Sequence, residues 1–389
     1  MDYYCGIDVS LEQLSVCVVD AKGRIVREAK VPSEPEALIA WFRNLDLPLS
    51  RIGLEAGPLS QWLHSGMAEV GFTVELIETR HVRDAFKAMP VKTDKKDARG
   101  IAQLMRLGWF RPVHCKSLPA QEVRALLTAR KLVQAKLHDV EMSLRGILRG
   151  FGLKVGRTTS RTFEPRITEL VASHPTLMEI ANALLSARAA LHKEFLGFER
   201  RIRSLAKADE RSRLLMSAPG VGVVVALTFS SAIDEPERFK RSRQVGAHFG
   251  MTPKRYQSGE TDVSGRISKI GDRRVRTVLY EAAHIILTMP VKGGALKSWA
   301  VRLAARAGKK KAKVALARKL AVILHRMLVR SATRRSSPRR QRWPRAEQEE
   351  VYNSGGSKRQ PPGARSRRRD DGSDQAETHT VASQDDHAT

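Results

Sequence analysis

Five short apolar runs before residue 78 limit this chain more than any other feature. Residues 3–9, 13–20 and 24–31 read as successive strands, with Asp20-Ala21-Lys22-Gly23 as the turn between the second and third. Strands and helices then alternate. A helix spans 34–45, opened by Ser33 and closed before Pro48, and a strand follows at 51–55. Next come a helix at 59–70, a strand at 73–77, and helices at 80–87 and 93–107. Three linked strands followed by such alternation give a mixed sheet with helices on its faces.

That order is the order of a ribonuclease H-like fold, and four carboxylates mark it. Asp8 ends the first strand and Glu55 the fourth, while Asp94 and Asp97 stand three apart at a helix start. Each has a plain reading alone: Asp8 as a strand-end surface residue, Asp94 as a helix cap favoured by the dipole. Together they are what two divalent metal ions need. Carboxylate oxygens suit Mg²⁺ (or Mn²⁺), and two such ions can clamp the attacking and leaving oxygens of a phosphodiester.

The charge is divided along the chain. The formal net charge of the 389 residues is +28, yet residues 1–112 hold 15 Lys and Arg against 15 Asp and Glu. The whole excess therefore lies in 113–389, and it implies a polyanionic partner, nucleic acid rather than an anionic membrane. Cys5, Cys17 and Cys115 have no metal-ligand spacing and read as small residues in a reducing compartment. No secretory signal follows Met1-Asp2, and the apolar stretch Val221 to Phe229 is too short to span a bilayer. The expectation is a soluble cytoplasmic protein, nucleoid-associated when bound to DNA.

Beyond residue 112 the pattern is helical. In a helix at 119–150, Leu126, Val133, Val140 and Ile147 recur every seven residues, with Leu137 and Leu144 between. A second helix at 175–208 repeats this with Leu184, Leu191, Phe198 and Leu205, plus Phe195 and Ile202. Heptads predict a coiled-coil pair, either a hairpin within the chain or, as favoured here, a dimer seam. Residues 151–166 read as the connecting loop. Pro219-Gly220-Val221-Gly222, between helical patterns, resembles a helix-hairpin-helix turn whose amides hold phosphate, or an ordinary tight turn. The stretch from Gly250 to Lys269 reads as a loop or irregular hairpin, and Asp272 as the cap of a basic helix carrying Arg273, Arg274 and Arg276. A further basic helix includes Lys309, Lys310, Lys311 and Lys313. Past 331, a basic and then acidic tail reads as disorder. The expected domains are thus 1–112, 113–209 (a helical coiled-coil region), 210–330 (mostly α) and the tail 331–389.

The motifs carry a resemblance. Gly6-Ile7-Asp8-Val9-Ser10, Leu54-Glu55-Ala56 and Thr93-Asp94-Lys95-Lys96-Asp97-Ala98 lead. Pro219-Gly220-Val221-Gly222, Arg238-Phe239, Gly250-Met251-Thr252-Pro253, Ser258-Gly259 and Ile267-Ser268-Lys269-Ile270-Gly271-Asp272 follow. Over about 1–330 the chain resembles the DEDD-type insertion-sequence transposases of the one-hundred-ten family, recombinases directed by a bridge RNA. It differs in having Ala-Gly-Pro after Glu55, where many relatives have Thr-Gly after the Ala.

The resemblance implies a RuvC-like metal site formed by Asp8, Glu55, Asp94 and Asp97, completed by Ser258 as a nucleophile that links covalently to DNA. It implies DNA (element ends and target) and a structured non-coding guide RNA as partners, and a homo-oligomer, at least a dimer. By itself Ser258 reads as a turn residue before Gly259. Tyr256 is the rival nucleophile, and Ser264 and Ser268 are weaker ones. Lys254, Arg255 and Arg266 are placed to neutralise phosphate charge. Lys92, Lys95, Lys96, Gly220, Gly222, Lys269, Arg273 and Arg274 complete the expected nucleic-acid contacts. Two other functions fit part of the pattern: a RuvC-like or ribonuclease H-like nuclease using water in place of serine, and a non-catalytic nucleic-acid-binding protein. Four acids that repel phosphate argue against the second.

Overall fold

The structure is a computed structural model that describes residues 2–87, 93–290 and 294–335. β1 (Tyr3–Asp8), β2 (Gln13–Asp20) and β3 (Ile25–Pro32) form an antiparallel meander. β4 (Leu49–Glu55) and β5 (Val74–Ile77) add in parallel beyond β1, so the order is β3-β2-β1-β4-β5, as a ribonuclease H-like sheet requires. The strands fall within a residue or two of their expected bounds.

Four helices cover this sheet: α1 (Pro35–Leu45), α2 (Ser60–Glu69), α3 (Thr79–Phe86) and α4 (Asp94–Leu107). Ser33 does not cap α1. Its hydroxyl donates to the Ser10 carbonyl at 2.8 Å, and Glu34 holds the cap position. Side chains alternate between the faces of a strand. Cys5, Ile7, Val16 and Leu54 pack with Leu38 and Phe42 of α1 and Leu63 and Met67 of α2. Each such apolar side chain, fully buried, contributes about 1.5–3 kcal/mol.

The opposite parity faces α4. Gly6 and Gly53 are register partners on β1 and β4. A Cβ on Gly6 would lie 2.2 Å from the Ala98 carbonyl oxygen, and one on Gly53 would lie 2.6 Å from the Met105 side chain. Two neighbouring glycines thus make the flat bed on which α4 rests. Ala98 lies over Gly6, while Met105 sits on Gly53 and its carbonyl meets the Arg51 side chain. The first turn of α4 therefore stands over the ends of β1 and β4 that carry Asp8 and Glu55.

The rest is mostly helical. α5 (Leu118–Gly150) and α7 (Pro175–Ala208) flank α6 (Phe163–Val171). α6 begins inside the expected 151–166 loop, with Phe163 buried and the guanidiniums of Arg145 and Arg188 over its ring. α5 and α7 pack antiparallel within the chain. Leu127 meets Ile202 and Ala206 at one end, and Leu144 and Leu148 meet Leu177 and Ala181 at the other. Arg130 pairs with Glu199, and Arg188 with Glu141 at 2.8 Å. These contacts make an intramolecular hairpin of α5 and α7.

α8 (Glu210–Met216), capped by Asp209, and α9 (Val223–Ile233) enclose the Pro219–Gly222 turn. A 3₁₀ turn at Pro236–Arg238 and α10 (Gln244–His248) follow. β6 (Pro253–Ser258) and β7 (Thr261–Ile267) form a hairpin ahead of α11 (Arg273–Thr288), which Asp272 caps as expected. α12 (Gly294–Ala307) and α13 (Lys309–Arg335) end the described fold. α13 runs past the expected boundary at 330, and the tail beyond Arg335 lies outside the described residues. Among the described residues no helix is long and apolar enough to cross a membrane.

Candidate active site

Asp8 and Glu55 share the face of Gly6 and Gly53, two residues back on each strand. Both strand ends therefore project their acids toward α4. Thr93 caps that helix, its hydroxyl accepting from the Lys96 amide at 3.3 Å, and this fixes where Asp94 and Asp97 start. Asp97 is buried at 7% exposure beside the strand ends, whereas Asp94 is exposed. Residues three apart on a helix are offset by about 60°, enough to turn one inward and leave the other at the rim. The backbone thus brings all four acids to one end of the sheet. Their side chains are less tightly gathered, and among the described residues no three acidic, histidine or cysteine groups are close enough to hold a metal ion. The donor set itself, all carboxylate oxygen, fits Mg²⁺ or Mn²⁺.

Ser258 lies on a different element, a two-stranded hairpin whose register shifts once between Pro253 and Arg255. It pairs with Thr261 across Gly259-Glu260, and Gly259 takes φ +52 as a type II′ turn requires. β6 is exposed along its whole length. Lys254, Tyr256 and Ser258 alternate onto one face of it. The root of the hairpin is tightly held. The Ser268 amide donates to the Thr252 carbonyl at 2.8 Å, and Arg276 gives one guanidinium nitrogen to the carbonyls of Phe249, Ile270 and Gly271. Gly250 has φ +64, and a Cβ there would lie 2.1 Å from the Ile270 carbonyl oxygen.

Residues 5–152 match the DEDD-type IS110 family, described as "Transposase", and residues 212–295 match the "Transposase IS116/IS110/IS902 family". Over 338 residues the chain is 30% identical to the transposase for insertion sequence element IS1111A of Coxiella burnetii, which covers 85% of this chain and 90% of that protein. The chain belongs to the IS110 family of transposases. It is 23% identical over 281 residues to the transposase for insertion sequence element IS1328 of Yersinia enterocolitica, covering 70% of this chain and 81% of that one. The solved structure of T. thermophilus RuvC in complex with a Holliday junction substrate matches 29% of this chain and 100% of that chain, at 16% identity and a TM-score of 0.24. The sheet order, not that weak superposition, carries the ribonuclease H-like assignment. Family membership makes the protein a DNA-cutting and DNA-rejoining enzyme.

Several basic positions of this transposase have partners within the fold. Lys95 meets Glu28 of β3 at 2.9 Å, and Arg99 grips the same carboxylate with two nitrogens. The Arg99 hydrogen bond, with help from Lys95, holds the Glu28 carboxyl down to about 2. The charge of Lys95 is thus committed to the sheet. Arg255 is locked onto Asp262 at 2.7 Å, and Arg274 binds the Thr128 hydroxyl of α5. A Cβ on Gly220 would lie 2.8 Å from the Ala282 carbonyl oxygen, so this glycine lets its turn pack on α11. Gly222 is exposed at the start of α9 with open space around it. Lys254, Arg266, Lys269 and Arg273 are exposed, Lys96 is half-buried, and Lys92 lies outside the described residues.

Sequence reasoning missed a joint between α9 and the start of α5. Asp234, at φ +60, accepts from the Ser117 amide at 2.8 Å and hydroxyl at 2.6 Å, and shares a 2.8 Å hydrogen bond with His114 Nε2. Nothing in the pattern of His114-Cys115-Lys116-Ser117 marks these residues, because their partner is more than a hundred positions away.

Proposed function

We propose that this transposase cuts and rejoins DNA in an active site shared between protomers, with Asp8, Glu55, Asp94 and Asp97 from one chain and Ser258 from another. The reading rests on one contrast: the acids stand on a packed sheet end, while Ser258 stands at the tip of an exposed hairpin on a separate part of the chain. Asp8, Glu55, Asp94 and Asp97 would hold Mg²⁺ or Mn²⁺, which would supply charge to polarise the scissile phosphate and stabilise the leaving oxygen. The Ser258 oxygen forms a bond to phosphorus as the bond to one DNA oxygen breaks. One strand end is left esterified to the serine, and the other departs as a hydroxyl carrying the serine proton. Rejoining reverses the step with the hydroxyl of a different end. Lys254, on the face of Ser258, neutralises phosphate charge as the bonds exchange.

The partners in this reading are the element ends, the target DNA and a structured non-coding RNA that guides the choice of target. The formal charge of +28, lying wholly outside the first 112 residues, suits two polyanions. The labour divides as 1–112 for the acids, 113–209 as helical spacer and assembly surface, and 210–330 for the serine, in at least a dimer.

The test mixes an Asp8→Ala chain with a Ser258→Ala chain. Each alone should be inactive. Mixed assemblies should regain cutting and a covalent protein–DNA adduct that mass spectrometry maps to Ser258. An adduct on Tyr256 would reassign the nucleophile, and cutting by Ser258→Ala alone would point to a water-using nuclease. No rescue despite demonstrated mixed assembly would mean that each chain builds its own site. Treating the protein with ribonuclease should abolish targeted recombination, and adding back its copurified RNA should restore it. Recombination indifferent to RNA would remove the guide from the reading.

A further inference from the structure

A cavity of about 550 Å³ opens beside the acid end, between the turn after Glu55 and the helices of the C-terminal half. Gly57 lines one wall, two residues from Glu55. The ionisable lining is His114, Lys116, Arg124, Arg238, His248 and Asp272. Lys116 precedes α5 and gives one proton to the Ala232 carbonyl at 3.1 Å. Arg238 donates through Nε to the Ile233 carbonyl at 3.1 Å, with its guanidinium 4.2 Å above the Phe239 ring. Only Arg124 touches a carboxylate, Asp272 at 2.7 Å. Of the other nearby acids, Asp234 already takes its hydrogen bonds from Ser117 and His114, and Glu235 also acts on Arg238.

Three cations are therefore drawn together with one carboxylate in direct contact. The strain registers on them. Desolvation, then the charges of Arg124 and Arg238, push the Lys116 ammonium down to about 8. His248 is exposed as a residue, but its ring lies against Phe239 and Phe249. Desolvation, then Arg238 and Lys116, push it down to about 4. Like charges crowded away from water are unfavourable unless an anion completes the set. Lys116 offers a compact charge with further protons. Arg238 offers a planar fork: its Nε is spent on Ile233 and one terminal nitrogen lies 3.4 Å from His248 Nε2, leaving the other for a phosphate oxygen. Lysine and arginine bind phosphate oxygens in these two ways.

We propose that this cavity is a phosphate pocket for the DNA strand that enters the acid end, with Lys116 and Arg238 as its donors. The proposal rests on the reading of the acid end as the cutting site and adds where the strand is held next to it. Because Gly57 on the pocket wall is two residues from Glu55, pocket and acids would take neighbouring stretches of one strand. Holding a phosphate off the scissile position fixes register without reading bases.

The test uses the full chain and three probes: a short oligothymidylate strand, a matching oligouridylate, and inorganic phosphate. Lysines are labelled with an amine-reactive reagent near pH 8, where much of Lys116 is neutral and reactive, and the Lys116 peptide is quantified by mass spectrometry. Oligothymidylate should protect Lys116 several-fold. Lys116→Gln should lower the slope of log affinity against log salt by about 0.7, one single-strand phosphate contact, and Lys116→Arg should restore it. Should Lys116→Gln fail to fold, labelling of the unaltered chain still decides. Equal protection by inorganic phosphate would overturn the strand assignment in favour of a free-anion site. Protection by oligouridylate alone would give the pocket to RNA. Oligothymidylate that binds without protecting Lys116 would sink the pocket and leave the active-site reading intact. If Lys116 is protected while Asp8→Ala still cuts, the acid-site reading fails instead.

Discussion

The acid end of the sheet and the β6–β7 hairpin carry the two halves of the proposed chemistry, and they are built in opposite ways. At the acid end, α4 lies directly on Gly6 and Gly53, Asp97 is buried, and Lys95 and Arg99 tie the helix to Glu28 on β3. The hairpin is exposed along β6 and held firmly only at its root, by Gly250, Ser268 and Arg276. Metal-binding acids must keep their spacing to within a fraction of an ångström, so they belong on packed elements. A nucleophile that reaches another chain's site needs the reverse: a firm base and a free tip.

The comparison breaks most readily at the acids. Asp8→Ala or Asp97→Ala should lower DNA cutting by roughly a thousandfold, the scale seen when one charge-stabilising group is lost. The same loss should follow chelation, and the circular dichroism of Asp8→Ala should be unchanged. Full cutting in chelator by a folded protein would remove the metal from the acid end and leave the sheet as scaffold.

A pair of glycines sharpens the other side. Gly250→Ala places a methyl 2.1 Å from a backbone oxygen at φ +64, and should cost about 3 kcal/mol and abolish adduct formation. Gly259→Ala, at φ +52 with open space around it, should cost about 1 kcal/mol and spare the adduct. Thermal melts and adduct yields read both. If the two variants behave alike, the hairpin is not a firm root with a tolerant tip.

How much of this was legible in the sequence follows the range of the forces. The five strands and the four acids could be read because alternation and strand-end position are local signals. The 253–267 hairpin was readable as a loop or irregular hairpin, and its pairing does shift register between Pro253 and Arg255, but its strand bounds could not be placed. Its strands are exposed on both faces, so they lack the alternation that marks a half-buried strand. α6 hid in a loop-like stretch, with Pro165 in its first turn and only Phe163, Ile167 and Val171 to show its buried face. The heptads of α5 and α7 marked a helix pair but could not say whether the partner is the same chain, since knobs fit holes either way. Lys95 and Arg255 looked free to bind phosphate because their acids, Glu28 and Asp262, are brought to them by strand pairing and helix packing that single residues do not announce. Lys116, Arg238 and Asp234 gather only when α9 and α5 meet.

The smallest expected effect concerns the clamp that fixes α4. Glu28 has its carboxyl held near 2, from an ordinary value of 4.5, chiefly by the Arg99 hydrogen bond. A carboxylate depressed in the folded state adds stability that is complete above its unfolded pKa and is lost as pH falls through the folded one. That contribution should therefore fade between about pH 4.5 and pH 2. Glu28→Gln should flatten this part of the melting-temperature profile and leave neutral-pH stability only slightly lowered, because a partly exposed pair is screened. It should also release Lys95 and Arg99 toward solvent at the acid end, so that DNA binding at low salt tightens modestly and depends more steeply on salt. Unchanged salt dependence alongside a flattened acid limb would mean that the two cations, once freed, stay folded against the sheet. The acid end would then be rigid without the clamp, and the contrast with the hairpin would rest on the glycine bed beneath α4 alone.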